Sequence, residues 1–231
     1  VLACSVDHRK LNHDAPSGAG APPSDGGRAG SSNVNVGGDD SSPSVAPPLV
    51  DGCADLDTDG VADCSVTLVK NAAFESDTDG WTTVDGGAFA WDGENALSDS
   101  PSGSALLTAE GSTDIEGNAL FRAAQCIPAG AGQLVIAYAN AWVAGAEEAS
   151  DAAHAELRVS YFDAEACTGD ATGYFVTPPN AASDAWVTVQ AGGVTGSATA
   201  SILVELTGVK PYRAAKLRAY FDNVMVKLQP L

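Results

Sequence analysis

Four aspartates lie between two cysteines in the stretch CADLDTDGVADC, residues 53–64. Asp55, Asp57 and Asp59 alternate, Gly60 follows, and Asp63 closes the set. Alternate carboxylates on a tightly curving loop converge on one hard cation, and glycine supplies the positive φ that lets the loop turn. The chemistry expected is calcium binding, although the same residues also describe an acidic, solvated turn held by a disulfide. A second acidic position stands out by its surroundings. Asp222 sits with Asn223 inside an otherwise apolar run, LRAYFDNVMVKL at 217–228. A carboxylate between Phe221 and Val224 is costly to bury without a partner. A bound cation answers that cost, with Glu75 and loop carbonyls completing an oxygen cage.

The third pattern is aromatic. Alternation along 133–143, QLVIAYANAWV, places Leu134, Ile136, Tyr138, Asn140 and Trp142 on one face and Val135, Ala137, Ala139, Ala141 and Val143 on the other. Aromatic rings stack on the apolar faces of sugars and an amide fixes a hydroxyl, so Tyr138, Asn140 and Trp142 are candidate carbohydrate ligands. A core role for Trp142 is the competing reading. Glu156 and Arg158 share the polar face of a later strand, 155–162, and are further candidates; a solvated strand face also accounts for them. Trp81, Trp91, Trp186 and Tyr161 read as core. Lys210, Arg213, Lys216 and Arg218 form a local basic patch, read chiefly as protection against edge-to-edge strand pairing.

Catalysis finds little support. Outside the first fifty residues His154 is the only histidine, and neither a G-x-S-x-G turn nor an H-E-x-x-H helix occurs. Carboxylates are plentiful, but most fall in turns rich in Gly and Ser. The expectation is a protein that is not an enzyme.

These residues need strands to position them. Strand-like runs at 88–91, 104–108, 119–126, 133–143, 155–162, 186–190, 201–207 and 217–228 alternate with Gly, Ser, Asp and Pro turns. About eight short strands with long connections describe an all-β, jelly-roll or Greek-key sandwich. Residues 71–81, NAAFESDTDGW, are expected to open the first strand and 217–228 to form the last. Residues 1–50 lack apolar periodicity and are dominated by Gly, Ser, Pro, Asp and Asn, which predicts a disordered tether. The expected organisation is therefore tether 1–50, acidic segment 51–69 and sandwich 70–231. The net charge of −19 argues against nucleic acid as a partner, because counterion release needs clustered Lys and Arg. It suits calcium and a neutral polymer.

Short motifs now carry three resemblances. N-x-x-F-E before an acidic turn and G-W, the closing Y-F-D-N-V, SPSGSALL at 100–107 and the cysteines 126 and 167 resemble jelly-roll carbohydrate-binding modules and related galactose-binding-like domains across roughly residues 70–229. That likeness implies a polysaccharide or glycoconjugate partner. The aspartate loop departs from an EF-hand, which carries a bidentate Glu where this chain has Val66. It is more similar to the type 3 repeats of thrombospondin-like extracellular proteins. VLAC at residues 1–4 resembles the end of a lipoprotein signal, with Cys4 as the lipid-bearing residue and the outer membrane or cell envelope as anchor. Setting Cys4 aside, four cysteines allow three pairings. Cys53–Cys64 with Cys126–Cys167 is favoured, since the first would close the acidic loop and the second would join strand ends. An even set of cysteines suits an oxidising, extracytoplasmic location at the cell surface or beyond it. The class expected is a lipid-tethered, calcium-stabilised glycan-binding module; the alternative is a structural or adhesive domain that displays a protein-binding surface and has no sugar site.

Overall fold

The structure, a computed structural model, describes residues 49–50, 53–54, 60, 66–96, 103–113, 116–144, 153–181, 185–214 and 216–231. Its strands are β1 (Leu49–Val50), β2 (Cys53–Ala54), β3 (Thr82–Thr83), β4 (Ala88–Asp92), β5 (Ser104–Glu110), β6 (Asn118–Pro128), β7 (Gln133–Val143), β8 (His154–Phe162), β9 (Ala171–Val176), β10 (Asn180–Ala181), β11 (Val187–Val194), β12 (Ser201–Pro211) and β13 (Lys216–Pro230). β3 to β13 build a jelly-roll sandwich, β1 and β2 pair with each other in a separate two-stranded sheet, and every strand pair is antiparallel. One sheet has the order β10-β8-β12-β6-β3, with β9 also paired along β8; the facing sheet has the order β11-β7-β13-β5-β4. Each of the eight expected runs overlaps a strand, while β3, β9 and β10 are additional edge pieces. No helix among the described residues is long and apolar enough to cross a membrane.

The opening differs from expectation. Residues 71–74 are turn rather than strand, and both Asn71 (φ 51°) and Phe74 (φ 44°) leave the extended region. Local hydrogen bonds drive this. The Asn71 side-chain amide donates to the Asp77 carbonyl and to Asp77 Oδ1, each at 2.9 Å, and the Asp79 N–H also donates to Asp77 Oδ1. The turn delivers Phe74 into full burial against Trp81, with ring centroids 5.8 Å apart. Gln125 holds the segment in place: its Oε1 accepts the Lys70 N–H at 2.6 Å and its Nε2 donates to the carbonyls of Lys70 and Gly80. Trp91, by contrast, is 42% exposed and is fixed by an Nε1 hydrogen bond of 2.7 Å to the Phe74 carbonyl.

Alternation then fills the space between the sheets. Ile202, Val204 and Leu206 of β12 meet Val135, Ala137, Ala139 and Ala141 of β7 and Phe221, Val224 and Val226 of β13 in one core. Small residues let the sheets approach closely. At Gly208 a Cβ would come within 2.7 Å of Leu217 Cδ2 on the opposite sheet, so any larger residue would have to displace the Leu217 side chain. The Cys126–Cys167 disulfide forms as favoured, with Cα atoms 5.9 Å apart, and links β6 to the 3-10 turn Glu165–Cys167 after β8.

The basic patch does not form. Lys210 turns inward at the sandwich end and is 3% exposed; its ammonium donates to the carbonyls of Gly111, Pro211 and Ala214. Arg213 instead faces Glu116 at 3.6 Å, and Arg218 lies over the Tyr220 ring. Alternation on a strand that continues past its expected end explains the inward lysine. Lys210→Met should lower stability by about 1–3 kcal/mol, since it strips buried carbonyls of their donor; urea melting measures it.

Candidate functional site

The outer face of the six-stranded sheet follows from the register of β12. With residues 202, 204 and 206 pointing inward, Leu203, Glu205, Thr207 and Val209 point outward. Glu205 pairs with Arg158 on β8 and Ala124 on β6; Thr207 pairs with Glu156 and Arg122; Leu203 pairs with Ser160. On the far side of β8, Tyr174 of β9 stands opposite Ser160. A carboxylate has thereby been placed in the middle of a sheet, between two arginines.

The Glu205 side chain is only 3% exposed, yet its oxygens are well supplied. Arg122 Nη1 donates to Oε1 at 2.7 Å, Ser160 Oγ donates to Oε2 at 3.2 Å, and Arg158 Nε lies 3.6 Å from Oε2. Arg122 is also paired through Nε with Asp85, and that hydrogen bond, together with the two nearby carboxylates, raises its pKa above the ordinary arginine value against the opposing effect of burial. The Arg158 guanidinium lies 4.2 Å from the centroid of Tyr174, a ring that is 62% exposed. At one margin of the face His154 Nε2 lies 3.6 Å from Glu156 Oε2. The Thr207 hydroxyl is buried and lacks a protein partner. The result is a polar platform whose guanidiniums are fixed from beneath by a buried anion and whose rim carries an open aromatic ring.

Tyr138, Asn140 and Trp142 occupy the opposite side of the molecule, on the outer face of the five-stranded sheet. The core side of β7 is formed by Val135, Ala137, Ala139, Ala141 and Val143, as the alternation predicts. The five candidate sugar ligands are therefore divided: Glu156 and Arg158 on one face, the β7 trio on the other. Asn140 is buried and its Oδ1 accepts the Thr188 hydroxyl at 3.0 Å. Trp142 stacks on buried Tyr220 with centroids 4.6 Å apart, and Trp186 closes the cluster at 5.8 Å from Trp142. Burial pushes the Tyr220 phenol up.

Asp222 is fully buried where β13 changes register against β7, between Asp222 and Met225. Its Oδ1 accepts the Asn223 N–H at 2.7 Å and its Oδ2 accepts the Ala96 N–H at 3.1 Å, but loss of water dominates and pushes its pKa up to about 7. Asn223, at φ 49°, has a buried Nδ2 with no partner. Glu75 is exposed, and among the described residues no three His, Cys, Asp or Glu side chains converge as a metal site. Calcium here would draw its remaining oxygens from backbone carbonyls. Asp55, Asp57, Asp59, Asp63, Cys64 and Cys4 lie outside the described residues, as does the Cys53 side chain.

Arg122, Glu205, Ser160 and Tyr174 were not among the expected site residues. The available signal was Glu205 itself, a lone charge in the apolar run SILVELTGV.

No protein-family model and no curated protein matches the chain. Solved structures with a similar fold include the enzymatically active domain of tailspike protein 4 from bacteriophage CBA120, with a TM-score of 0.51 and 11% identity over 71% of this chain and 21% of that one. An arabinose-bound α-L-arabinofuranosidase, MgGH51, gives a TM-score of 0.52 and 12% identity over 71% of this chain and 26% of that one. This chain thus spans about a quarter or less of either protein's length. The xylan-binding CBM22-1 domain of Paenibacillus barcinonensis Xyn10C aligns over 69% of this chain and 93% of that one, with 17% identity and a TM-score of 0.47. At such identities the likeness is one of fold.

Proposed function

We propose that the chain is a non-catalytic glycan-binding module that holds a polysaccharide or glycoconjugate on the outer face of its six-stranded sheet. The carrying observation is that Arg122 and Arg158 are fixed by buried Glu205 beside the exposed ring of Tyr174. A sugar presents hydroxyls that want donors already in place, and an apolar ring face that stacks on an aromatic. Donors held before binding reduce the ordering cost of association. Glu205 and Asp85 balance the two guanidiniums, so the face suits a neutral polymer. The same burial and pairing make Glu205 a poor acid or base, because a catalytic carboxylate must reach its substrate.

The wider reading keeps three further elements. Calcium braces the domain through Asp222, with Glu75 as a second candidate ligand, and a separate calcium occupies the Asp55, Asp57, Asp59 and Asp63 loop. Cys4 carries a lipid that anchors the chain to the cell envelope. The Cys126–Cys167 disulfide supports an oxidising, extracytoplasmic setting.

Arg158→Ala and Tyr174→Ala should each weaken binding to soluble polysaccharide about ten-fold, the size expected of a contact at the centre of an interface. Affinity electrophoresis against xylan, galactan and glucan reads the change, and thermal melting checks that the variants stay folded. Unchanged binding in both variants would remove the site from this face. Absence of binding by the unaltered protein to any glycan would favour the protein-displaying alternative.

A further inference from the structure

The other outer face carries a hollow that the proposed function does not use. Ile136 and Tyr138 of β7 with Gln190, Ala191 and Gly192 of β11 line an open depression of about 310 Å³. The register places Gln190 directly across from Tyr138 and Gly192 across from Ile136. Directly paired residues on one sheet face bring their side chains within about 5 Å of each other. The phenol ring and the exposed carboxamide therefore stand side by side, next to an aliphatic residue and above a position with no side chain.

The lining decides what such a hollow takes. It holds a half-buried aromatic ring, an amide with both donor and acceptor, an isoleucine and bare backbone at Gly192; none of these lining residues is charged, and Lys227, across from Ile136 on β13, is only 8% exposed. A charged ligand would be left without a counter-charge, and a purely apolar one would strand the amide. A neutral pyranose satisfies both, with its C–H face on Tyr138 and a hydroxyl on Gln190. The row continues along the same two strands through the Asn140–Thr188 pair to Trp142 and Trp186, about 20 Å from Ile136 at the usual strand rise.

We infer that the Tyr138–Gln190 hollow is a second glycan-binding site, selective for neutral pyranose chains, so that one domain grips polymer on both outer faces. The inference rests on the glycan reading of the six-stranded face and gives the domain a role that one site cannot: bridging two polysaccharide strands. Two sites separated by the thickness of the sandwich cannot both be served by one short oligosaccharide.

The test titrates the full chain calorimetrically with neutral xylo-, cello- and galacto-oligosaccharides. It uses the unaltered protein, Tyr138→Ala, Gln190→Ala and the double variant Arg158→Ala/Tyr174→Ala. Two sites per chain are expected for the unaltered protein and one for the double variant. That remaining site should weaken about ten-fold when Tyr138→Ala or Gln190→Ala is added. Gln190 is exposed, so its replacement keeps the test open if Tyr138→Ala fails to fold. If the folded double variant binds nothing while the unaltered protein binds, the hollow is not a site and the six-stranded face stands alone. If Tyr138→Ala and Gln190→Ala abolish all binding and the double variant binds normally, the hollow stands and the six-stranded reading falls. Absence of binding by the unaltered protein overturns both.

Discussion

In chelator, the unaltered protein should lose about 4 kcal/mol of stability relative to Asp222→Asn as pH rises from about 4 to about 7. The sign follows from where the proton sits. Burial raises the folded pKa of Asp222 from 3.8 to about 7, whereas the unfolded chain keeps the ordinary value. Below about pH 4 both states hold the proton, and the full contribution is present. Between the two pKa values the native state retains a proton that the unfolded state has released, so each upward step in pH lowers stability; above about 7 both states are ionised and the loss is complete. Asparagine removes the titration but keeps an acceptor for only one of the two backbone donors, so the variant starts about 1 kcal/mol weaker at low pH. Chemical melting at half-unit pH intervals, read as the difference between the two proteins, cancels the remaining carboxylates. Calcium should erase the loss in the unaltered protein, while any effect of calcium at the Asp55, Asp57, Asp59 and Asp63 loop is common to both proteins and cancels in the difference. If calcium shifts both proteins equally, Asp222 is not its ligand, and if the difference is flat with pH the carboxylate is ionised throughout.

Glu205→Ala should lower stability by about 3 kcal/mol and remove binding at the six-stranded face. Deleting one member of a buried ion pair leaves its partners charged and unpaired, which costs about 3–5 kcal/mol. The lower end applies because the Arg122 and Arg158 side chains are 24% and 29% exposed and Arg122 keeps Asp85. Glu205→Gln retains the shape and an acceptor for Arg122, so it should recover half or more of the loss. A binding defect in Glu205→Gln without a matching stability defect would show that charge, beyond position, matters to the ligand. Urea denaturation and polysaccharide affinity, measured on the same samples, separate the two outcomes. Full stability in Glu205→Ala would mean that the arginines are held by other means and that Glu205 does not preset them for a ligand.

Strands were legible because alternation is local. In β7 the Ala and Val positions read as one face and the Tyr, Asn and Trp positions as the other, and the sheet keeps that division. Sheet membership was not legible, because it depends on which distant strands pair. Tyr138 and Arg158 both read as outward-facing residues on central strands, and only the assembled sandwich sets them on opposite sides. Glu205 shows the same limit from another direction. A lone carboxylate in an apolar run carries the same meaning in SILVELTGV as at Asp222, but the partner of Glu205, Arg122, lies 83 residues away and is supplied by register. The turn at 71–74 was hidden for a smaller reason: Phe74 is apolar enough for a strand, and the Asn71–Asp77 hydrogen bonds that bend the chain are a matter of geometry.

The position of β13 bears on how the domain is made. It lies between β7 and β5, and without it the five-stranded sheet is two separate ladders, β11 with β7 and β4 with β5. A ribosome delivers this strand after every other strand among the described residues. The sheet therefore cannot close as it is synthesised, and its assembly depends on long-range pairings that form slowly, on the order of milliseconds to seconds. Until then β7 and β5 offer unpaired edges of the kind that drive aggregation. The net charge of −19 acts during that interval, keeping unfinished chains apart through mutual repulsion.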